Sequence, residues 1–349
     1  MISTDRTMFL SQSSVQARTE KYAAAAGEMD VIVFALKKLD LKSISKDALS
    51  IYPTNSSSKL LYIRDAVKIA RTLPRPDVIT AQDPFEAGLA ALYIARHFNV
   101  PLHIQIHTNF SASSFISHHW PLNAIRLLLA GYVLSRATRI RTVSNKIREG
   151  ILKNYHLTIP VSVLPIFVDT LRFKNTLVPE TLSVRFQSYD KKILVVSRLE
   201  REKGVEMAIR ALAEASIATS CLIILGEGRE RERLEEEAKH LNISSQVFFE
   251  GRQDPAAYYK LADVVLFPSD SYDGYGMVII EALVAGTPVI ATDVGIARDA
   301  GAIVVPIEDF PKTLTSLLSG SKEQARLLDY PYGEEAAYVR EWVADIAAK

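Results

Sequence analysis

VVLFPSDSYDGYGMVIIEALVAGTPVIATD, residues 264–293, reads as a strand, a loop, a helix and a second strand in immediate succession. The first strand ends at VVLFP, the loop carries Gly274 and Gly276, and a helix beginning near Met277 places Glu281 one turn in. Glycines let backbone approach a ligand closely, and the free N–H groups of a helix start attract an anion. Glu281 stands among Val278, Ile279, Ile280, Leu283 and Val284. Helical side chains tilt toward the N-terminus, which aims this carboxylate at the mouth of the loop. An acid that merely offsets the helix dipole explains the same position, and both readings stay open.

The same alternation extends in both directions. Short runs rich in Val, Ile and Leu begin at Val31, Leu102, Ile140, Val161, Ile193, Leu222, Val247, Val264, Pro288 and Ala302, each read as apolar on both faces, as buried parallel strands are. Helical spacing separates them, as in GVEMAIRALAEA from Gly204 and GRERERLEEEAKHL from Gly228. Strands alternating with helices on this scale make doubly wound α/β sheets. A chain of 349 residues fits two such domains better than one core. The polar stretch 171–190 with Pro179 is the expected linker between a first domain over 1–170 and a second over 191–349, whose last helix is free to pack back on the first. MIST reads as the tail of a first strand.

Composition narrows the class. With 48% hydrophobic and 23% charged residues and no low-complexity segment, disorder and fibrous repeats are excluded. The lone Cys221 cannot form an internal disulfide or a thiolate zinc cluster and points to a reducing compartment. MISTDRTMFL lacks a signal-peptide pattern and no apolar run approaches a membrane span, so a cytoplasmic protein is expected. Net charge is +1, yet residues up to 180 hold 22 Lys+Arg against 13 Asp+Glu and the rest 19 against 27. The basic first part suits an anionic partner: a membrane surface, a phosphorylated acceptor or nucleic acid.

In VVSRLEREKGVEMAIRALAEA a strand ends at Ser197, Arg198 and Lys203 follow in the loop, and Gly204 opens a helix. Two cations at the carboxyl edge of a parallel sheet can hold a diphosphate, or can be solvated surface charges. Together with LGEGRERERLE, VFFEGR and DGYGMVIIEALVAGTPVIATD, where Asp273 and Glu281 form an acidic pair with seven residues between them, this order of segments resembles the C-terminal domain of retaining glycosyltransferases of the GT-B fold, family 4 (group 1). The resemblance implies two Rossmann-like domains facing each other across a cleft. It implies donor diphosphate on Arg198, Lys203, Gly276, Met277 and Val278, ribose on Glu281, base at the backbone around Arg252, and donor sugar near Asp273, Gly274 and Tyr275. Asp273 stands where the family has glutamate, one methylene longer, and Ile296 and Asp299 stand where it often has glycine and glutamate.

The first domain resembles the family less closely. Ser13 and Ser14 replace two glycines of the acceptor-side loop, and VITAQDPFEAGLAALYIARHFNVPLHIQIHTNF ends in His107, which the resemblance places at the donor sugar near the reacting carbon. From the residues alone His107 reads first as a hydrogen-bonded core histidine and only the resemblance turns it toward the donor, while His118 and His119 read as surface or acceptor-side groups. Residues 122–134 carry Ile125, Leu128, Leu129, Tyr132 and Val133 at helical spacing, followed by basic residues through Lys153, which suits either contact with anionic lipid or a core helix beside a solvated basic face.

The implied reaction moves a sugar from a UDP- or GDP-linked donor to an acceptor hydroxyl with retention, His107 and Asp273 orienting the sugar. The acceptor would be a glycan or lipid-linked precursor at the inner face of the membrane. Nothing has metal-ligand spacing, so no obligatory metal and no cofactor beyond the co-substrate are expected. The alternative is a non-catalytic nucleotide-sugar-binding partner. A nicotinamide dehydrogenase lacks its Gly-x-Gly-x-x-Gly fingerprint, a P-loop enzyme its Gly-Lys-Ser/Thr, and a nucleic-acid reading its interleaved aromatics.

Overall fold

The computed structural model describes residues 1–11, 13–118, 120–217, 219–270, 273–320, 326–328 and 330–348, without the side chains of Ser113 and His118. The chain forms two compact units, Met1–Pro165 with Glu334–Lys349, and Ile166–Gly333. In the first unit the strands are β1 Ile2–Ser3, β2 Met29–Val33, β3 Ile44–Lys46, β4 Leu49–Pro53, β5 Ile79–Ala81, β6 Leu102–Ile106, β7 Arg139–Thr142 and β8 Val161–Val163. They form one sheet in the order β3-β4-β2-β1-β5-β6-β7-β8, parallel except for the β3–β4 hairpin. In the second unit β9 Lys191–Val196, β10 Ser220–Leu225, β11 Val247–Gly251, β12 Val264–Phe267, β13 Val289–Ala291 and β14 Ile303–Val304 lie in the all-parallel order β11-β10-β9-β12-β13-β14.

Both orders reverse direction once, between β1 and β5 and between β9 and β12. At such a reversal the crossovers leave on opposite faces, so a crevice opens beyond the carboxyl ends of the two strands. In the second unit the helix Val205–Ala215 buries Val205, Ala208, Ile209 and Leu212, the i, i+3, i+4, i+7 positions, in one core with Ile193, Val195, Leu222 and Ile224 of β9 and β10. Each such Val, Ile or Leu side chain contributes about 1.5–3 kcal/mol when removed from water. The two-residue β1 sits inside its sheet, Ile2 paired with both Ile32 and Ala81. Among the described residues no helix is long and apolar enough to cross a membrane.

Two expectations need correction. The stretch 171–190 is not an undocked linker: it carries the helices Thr170–Asn175 and Glu180–Arg185 and lies inside the second unit, and the chain divides at 165/166 and again at 333/334. Asp169 caps the first helix by accepting from Arg172 N, Phe173 packs edge-on against Tyr259, and Phe186 meets Phe248 at 5.3 Å between ring centroids. A polar stretch with two well-placed aromatics has enough apolar surface to dock.

The second correction concerns β6 and β7, which are not apolar on both faces. Strand alternation puts His103 and Gln105 on one side of β6, in register with Arg139 and Arg141 of β7, and Arg141 is only 1% exposed. Its guanidinium donates to Gln105 Oε1, Leu164 O and the Tyr338 hydroxyl. His103 is hydrogen-bonded to Thr80 and to Asp345, and Asp345 also accepts from Arg139 and Ser162. Tyr338 and Asp345 belong to the last helix, Glu335–Ala347, which covers this polar face as part of the first unit. Burial alone would raise the Asp345 carboxyl, but the hydrogen bonds from His103, Ser162 and Arg139 outweigh it and hold the group at about 2.

Candidate functional site

The second unit's reversal brings together the two loops singled out in the sequence. The loop after β9 carries Arg198 and Lys203, the loop after β12 carries Asp273 to Gly276, and Asp270 N donates to Glu202 O across them. Gly204, at φ 63°, is what permits this approach, since a Cβ there would stand 2.2 Å from Pro268 O. Lys203 Nζ reaches Asp273 Oδ2 at 2.5 Å, and Ser269 Oγ donates to the same oxygen at 3.1 Å. The lysine and the aspartate, each read separately as ligand contacts, therefore neutralise each other. Arg198 is 70% exposed, 3.6 Å from Glu202, and its charge also acts on Glu200. Ser197 Oγ, just past β9, is buried without a hydrogen-bond partner among the described residues.

The helix Met277–Ala285 starts from Gly276, whose φ of 91° is open to glycine at little cost, and no side chain among the described residues caps it. Its first N–H groups, at Met277 and Val278, are left to a ligand or solvent. Tyr275 is buried, its hydroxyl donating to Ile166 O, and Ile296 N donates back to Tyr275 O, so Ile296, at the start of the short helix Ala297–Ala300 that carries Asp299, braces the glycine turn.

Glu281 is half-buried and accepts the Tyr259 hydroxyl on Oε2 at 2.7 Å. Burial pushes its carboxyl up; the Tyr259 hydrogen bond and the Arg172 charge act the other way without cancelling this. Tyr259 is fully buried and its hydroxyl is held well above the usual phenol range by burial and by Glu281. This tyrosine was not singled out in the sequence, and the only signal was an aromatic on the inward side of the helix Ala256–Leu261. Arg252 is exposed just past β11, where Gly226 N donates to Gly251 O at 2.7 Å and ties the two strand-end loops together.

In the first unit His107 follows β6 at its carboxyl end, on the side of the strand that carries His103 and Gln105. Among the described residues its ring has no hydrogen-bond partner, so the hydrogen-bonded core histidine of this strand is His103 rather than His107. Burial, with the Arg141 and Arg18 charges, pushes the His107 imidazole down to about 3. Ser13 caps the helix Ser14–Ala26 through Val15 N, with Ser14 as its first residue. Ser13 therefore has a local structural role as the cap, and Ser14 is exposed at the helix start. The His118 side chain and His119 lie outside the described residues. Cys221 is buried, its thiol pushed up to about 12 by desolvation.

These features can be set beside known proteins. Residues 183–330 match the family model for glycosyl transferases group 1, and residues 18–172 match that for glycosyltransferase family 4. The chain is 27% identical over 229 residues to alpha-monoglucosyldiacylglycerol synthase of Streptococcus pneumoniae, covering 62% of this chain and 51% of that protein. It is 38% identical over 117 residues to the uncharacterized glycosyltransferase MJ1607 of Methanocaldococcus jannaschii, covering 32% and 30%. It thus spans about half or less of the length of these relatives. Among solved structures, Anabaena HepE in complex with UDP superimposes with a TM-score of 0.72 at 16% identity, over 99% of this chain and 94% of that one. The lipopolysaccharide outer core galactosyltransferase WaaB gives 0.67 at 17% identity, over 99% and 98%.

Proposed function

For a chain that belongs to the group 1 glycosyltransferases of the GT-B fold, we propose that it transfers a sugar, with retention, from a nucleoside diphosphate donor to an acceptor hydroxyl. The observation that carries the reading is the convergence of Arg198, Lys203, the uncapped helix start at Met277 and Glu281 at one sheet reversal. A diphosphate there meets two cations and free N–H groups, and Glu281 Oε1 is available to the ribose hydroxyls. The base would lie along the backbone at Arg252.

The Lys203–Asp273 pair gives the donor a defined entry step. Diphosphate oxygens compete for the lysine, and the released Asp273 carboxylate turns to the donor sugar beside Gly274 and Tyr275. As the bond from the anomeric carbon to the phosphate oxygen breaks, its electron pair stays on the diphosphate, where Arg198, Lys203 and the helix start stabilise it. The acceptor oxygen bonds to the same face, and its proton passes to the departing phosphate oxygen. Neutral His107 orients the donor sugar near the reacting carbon, and Ser13 and Ser14 border the acceptor path.

The donor series is UDP- or GDP-linked, the acceptor a polysaccharide, glycolipid or cell-envelope precursor, and we expect no metal or cofactor beyond the co-substrate. The basic first unit and the inert buried thiol suit an enzyme in a reducing cytoplasm, peripheral at the inner face of a membrane. Calorimetric titration in EDTA with UDP, GDP and their sugars, followed by donor hydrolysis and transfer assays, tests the reading. Saturable binding of one series with turnover supports it. Binding with no turnover would favour the non-catalytic partner, to which the preformed Lys203–Asp273 pair lends its one argument, and no binding by folded protein would overturn both.

A further inference from the structure

The helix Leu122–Leu134 settles which of its residues face outward. It buries Asn123, Ala130, Val133 and Leu134, and exposes Leu122, Ile125, Leu128 and Tyr132, spaced three or four apart and therefore on one face. Leu128 is 79% exposed, Ile125 59%, and Trp120 just before the helix 71%. An ordinary surface helix turns charge to this side; here its only charged residue, Arg126, is bound to Glu86 and Asn123 on the flank. The apolar area left in water is on the order of several hundred Å², the size at which such a patch marks an interaction surface.

Its surroundings are basic. The exposed Arg136 guanidinium lies 3.9 Å from the Tyr132 ring centroid. The Tyr155 hydroxyl donates to Leu127 O, bringing the end of the helix Asn145–Asn154, with exposed Leu152 and Lys153, alongside. Of the seven basic residues from Arg126 to Lys153, Arg141 is buried, Arg126 pairs with Glu86 and Arg139 with Asp345, while Arg136 and Lys153 are exposed, and Glu149 is the sole acid of that segment.

We propose that the outward face of Leu122–Leu134, with Trp120, Leu152, Arg136 and Lys153, docks flat on an anionic lipid bilayer. The aliphatic side chains enter the acyl boundary, Trp120 and Tyr132 sit at headgroup level, and the two cations meet lipid anions. A second copy is the poorer occupant. A two-fold contact would lay this basic patch on the same basic patch of the other copy, and one helix face falls short of the roughly 800 Å² per partner of a stable interface. The surface refines where the proposed enzyme works but does not depend on donor binding, so either can fail alone.

The full chain is sedimented with phosphatidylcholine vesicles with and without phosphatidylglycerol. Binding to the anionic vesicles that weakens with added salt is expected. Ile125→Asp with Leu128→Asp should cut the bound fraction about tenfold without changing thermal unfolding, since both side chains are solvated in the free protein. Arg136→Gln with Lys153→Gln should remove the preference for phosphatidylglycerol. No binding to anionic vesicles, or wild-type binding by the aspartate variant, overturns the proposal. So does a concentration-dependent dimer that the aspartate variant dissolves with vesicles unbound, which would assign the face to a second copy.

Discussion

Glu281 has one observed contact and one proposed duty, and their separation gives the sharpest test. Its Oε2 accepts the hydroxyl of the fully buried Tyr259 at 2.7 Å, and the proposed ribose contact uses the other oxygen. Glu281→Ala removes both. The orphaned hydroxyl should cost about 1–3 kcal/mol of stability. In a unit the size of Ile166–Gly333 each kcal/mol lowers Tm by about 2–4 °C. Hydrogen bonds to a charged acceptor are worth about 1.5–3 kcal/mol, so nucleotide affinity should fall at least about tenfold, or 1.4 kcal/mol. Glu281→Gln keeps an acceptor for Tyr259 and should unfold close to wild type while still losing affinity. The assay is calorimetry with UDP or GDP, whichever binds, and with its 2′,3′-dideoxy analogue, beside thermal unfolding of each variant. Wild type should discriminate between the two nucleotides and the alanine variant should not, which isolates the pairwise interaction. A folded alanine variant that binds nucleotide as tightly as wild type, or still discriminates, would refute the ribose assignment. Because burial raises the Glu281 carboxyl, it takes up its proton at a higher pH than an ordinary glutamate. Affinity should accordingly fall earlier on acidification in wild type than in Glu281→Gln.

Further outcomes are expected elsewhere. Asp273→Asn frees Lys203 from a partly buried pair worth about 1 kcal/mol; nucleotide diphosphate should bind roughly fivefold tighter while transfer falls, and weaker binding in calorimetry would contradict the entry step. His107→Ala should lower turnover with little change in nucleotide affinity, and collapse of its thermal transition would return His107 to the core. With its imidazole near 3, below the free value of 6.5, His107 is neutral at ordinary pH, so its NMR resonances should not titrate between about pH 5 and 8. Asp345→Ala should cost about 3 kcal/mol by leaving Arg139 and Ser162 without their shared carboxylate, read as a fall in unfolding midpoint. The Asp345 carboxyl is depressed from 3.8 to about 2, so its contribution is complete above 3.8 and is lost as pH falls through 2. Acid unfolding of wild type should therefore show an Asp345-dependent loss in that window and none attributable to it near neutrality.

The alternation of apolar runs with helical spacing was enough to infer parallel sheets, because strand and helix periods are local and the runs at Ile193, Leu222, Val264 and Pro288 became β9, β10, β12 and β13. The loop residues at strand ends were legible for the same reason: a doubly wound sheet puts its ligand loops at one edge. Two local patterns were misread. The i, i+2 polar positions 103 and 105 of LHIQIH announce a polar strand face, which apolar content alone conceals. Phe173 and Phe186 anchor a stretch whose overall polarity suggested a linker.

Sequence by itself determined the strand and helix alternation of the second unit, the glycine turns and the set of charged residues near the carboxyl edge of the second sheet, but not the β3–β4 hairpin of the first. Only the tertiary structure decided their partners. Lys203 meets Asp273 because β9 and β12 are neighbours although 70 residues separate the pair, and Tyr259 meets Glu281 across two helices. Asp345 closes on His103 across 242 residues because the last helix packs on the first sheet. Which side of Leu122–Leu134 faces water was decided in the same way. Periodicity is a property of consecutive residues, whereas a hydrogen bond or an exposed face depends on which distant elements the crossovers bring alongside.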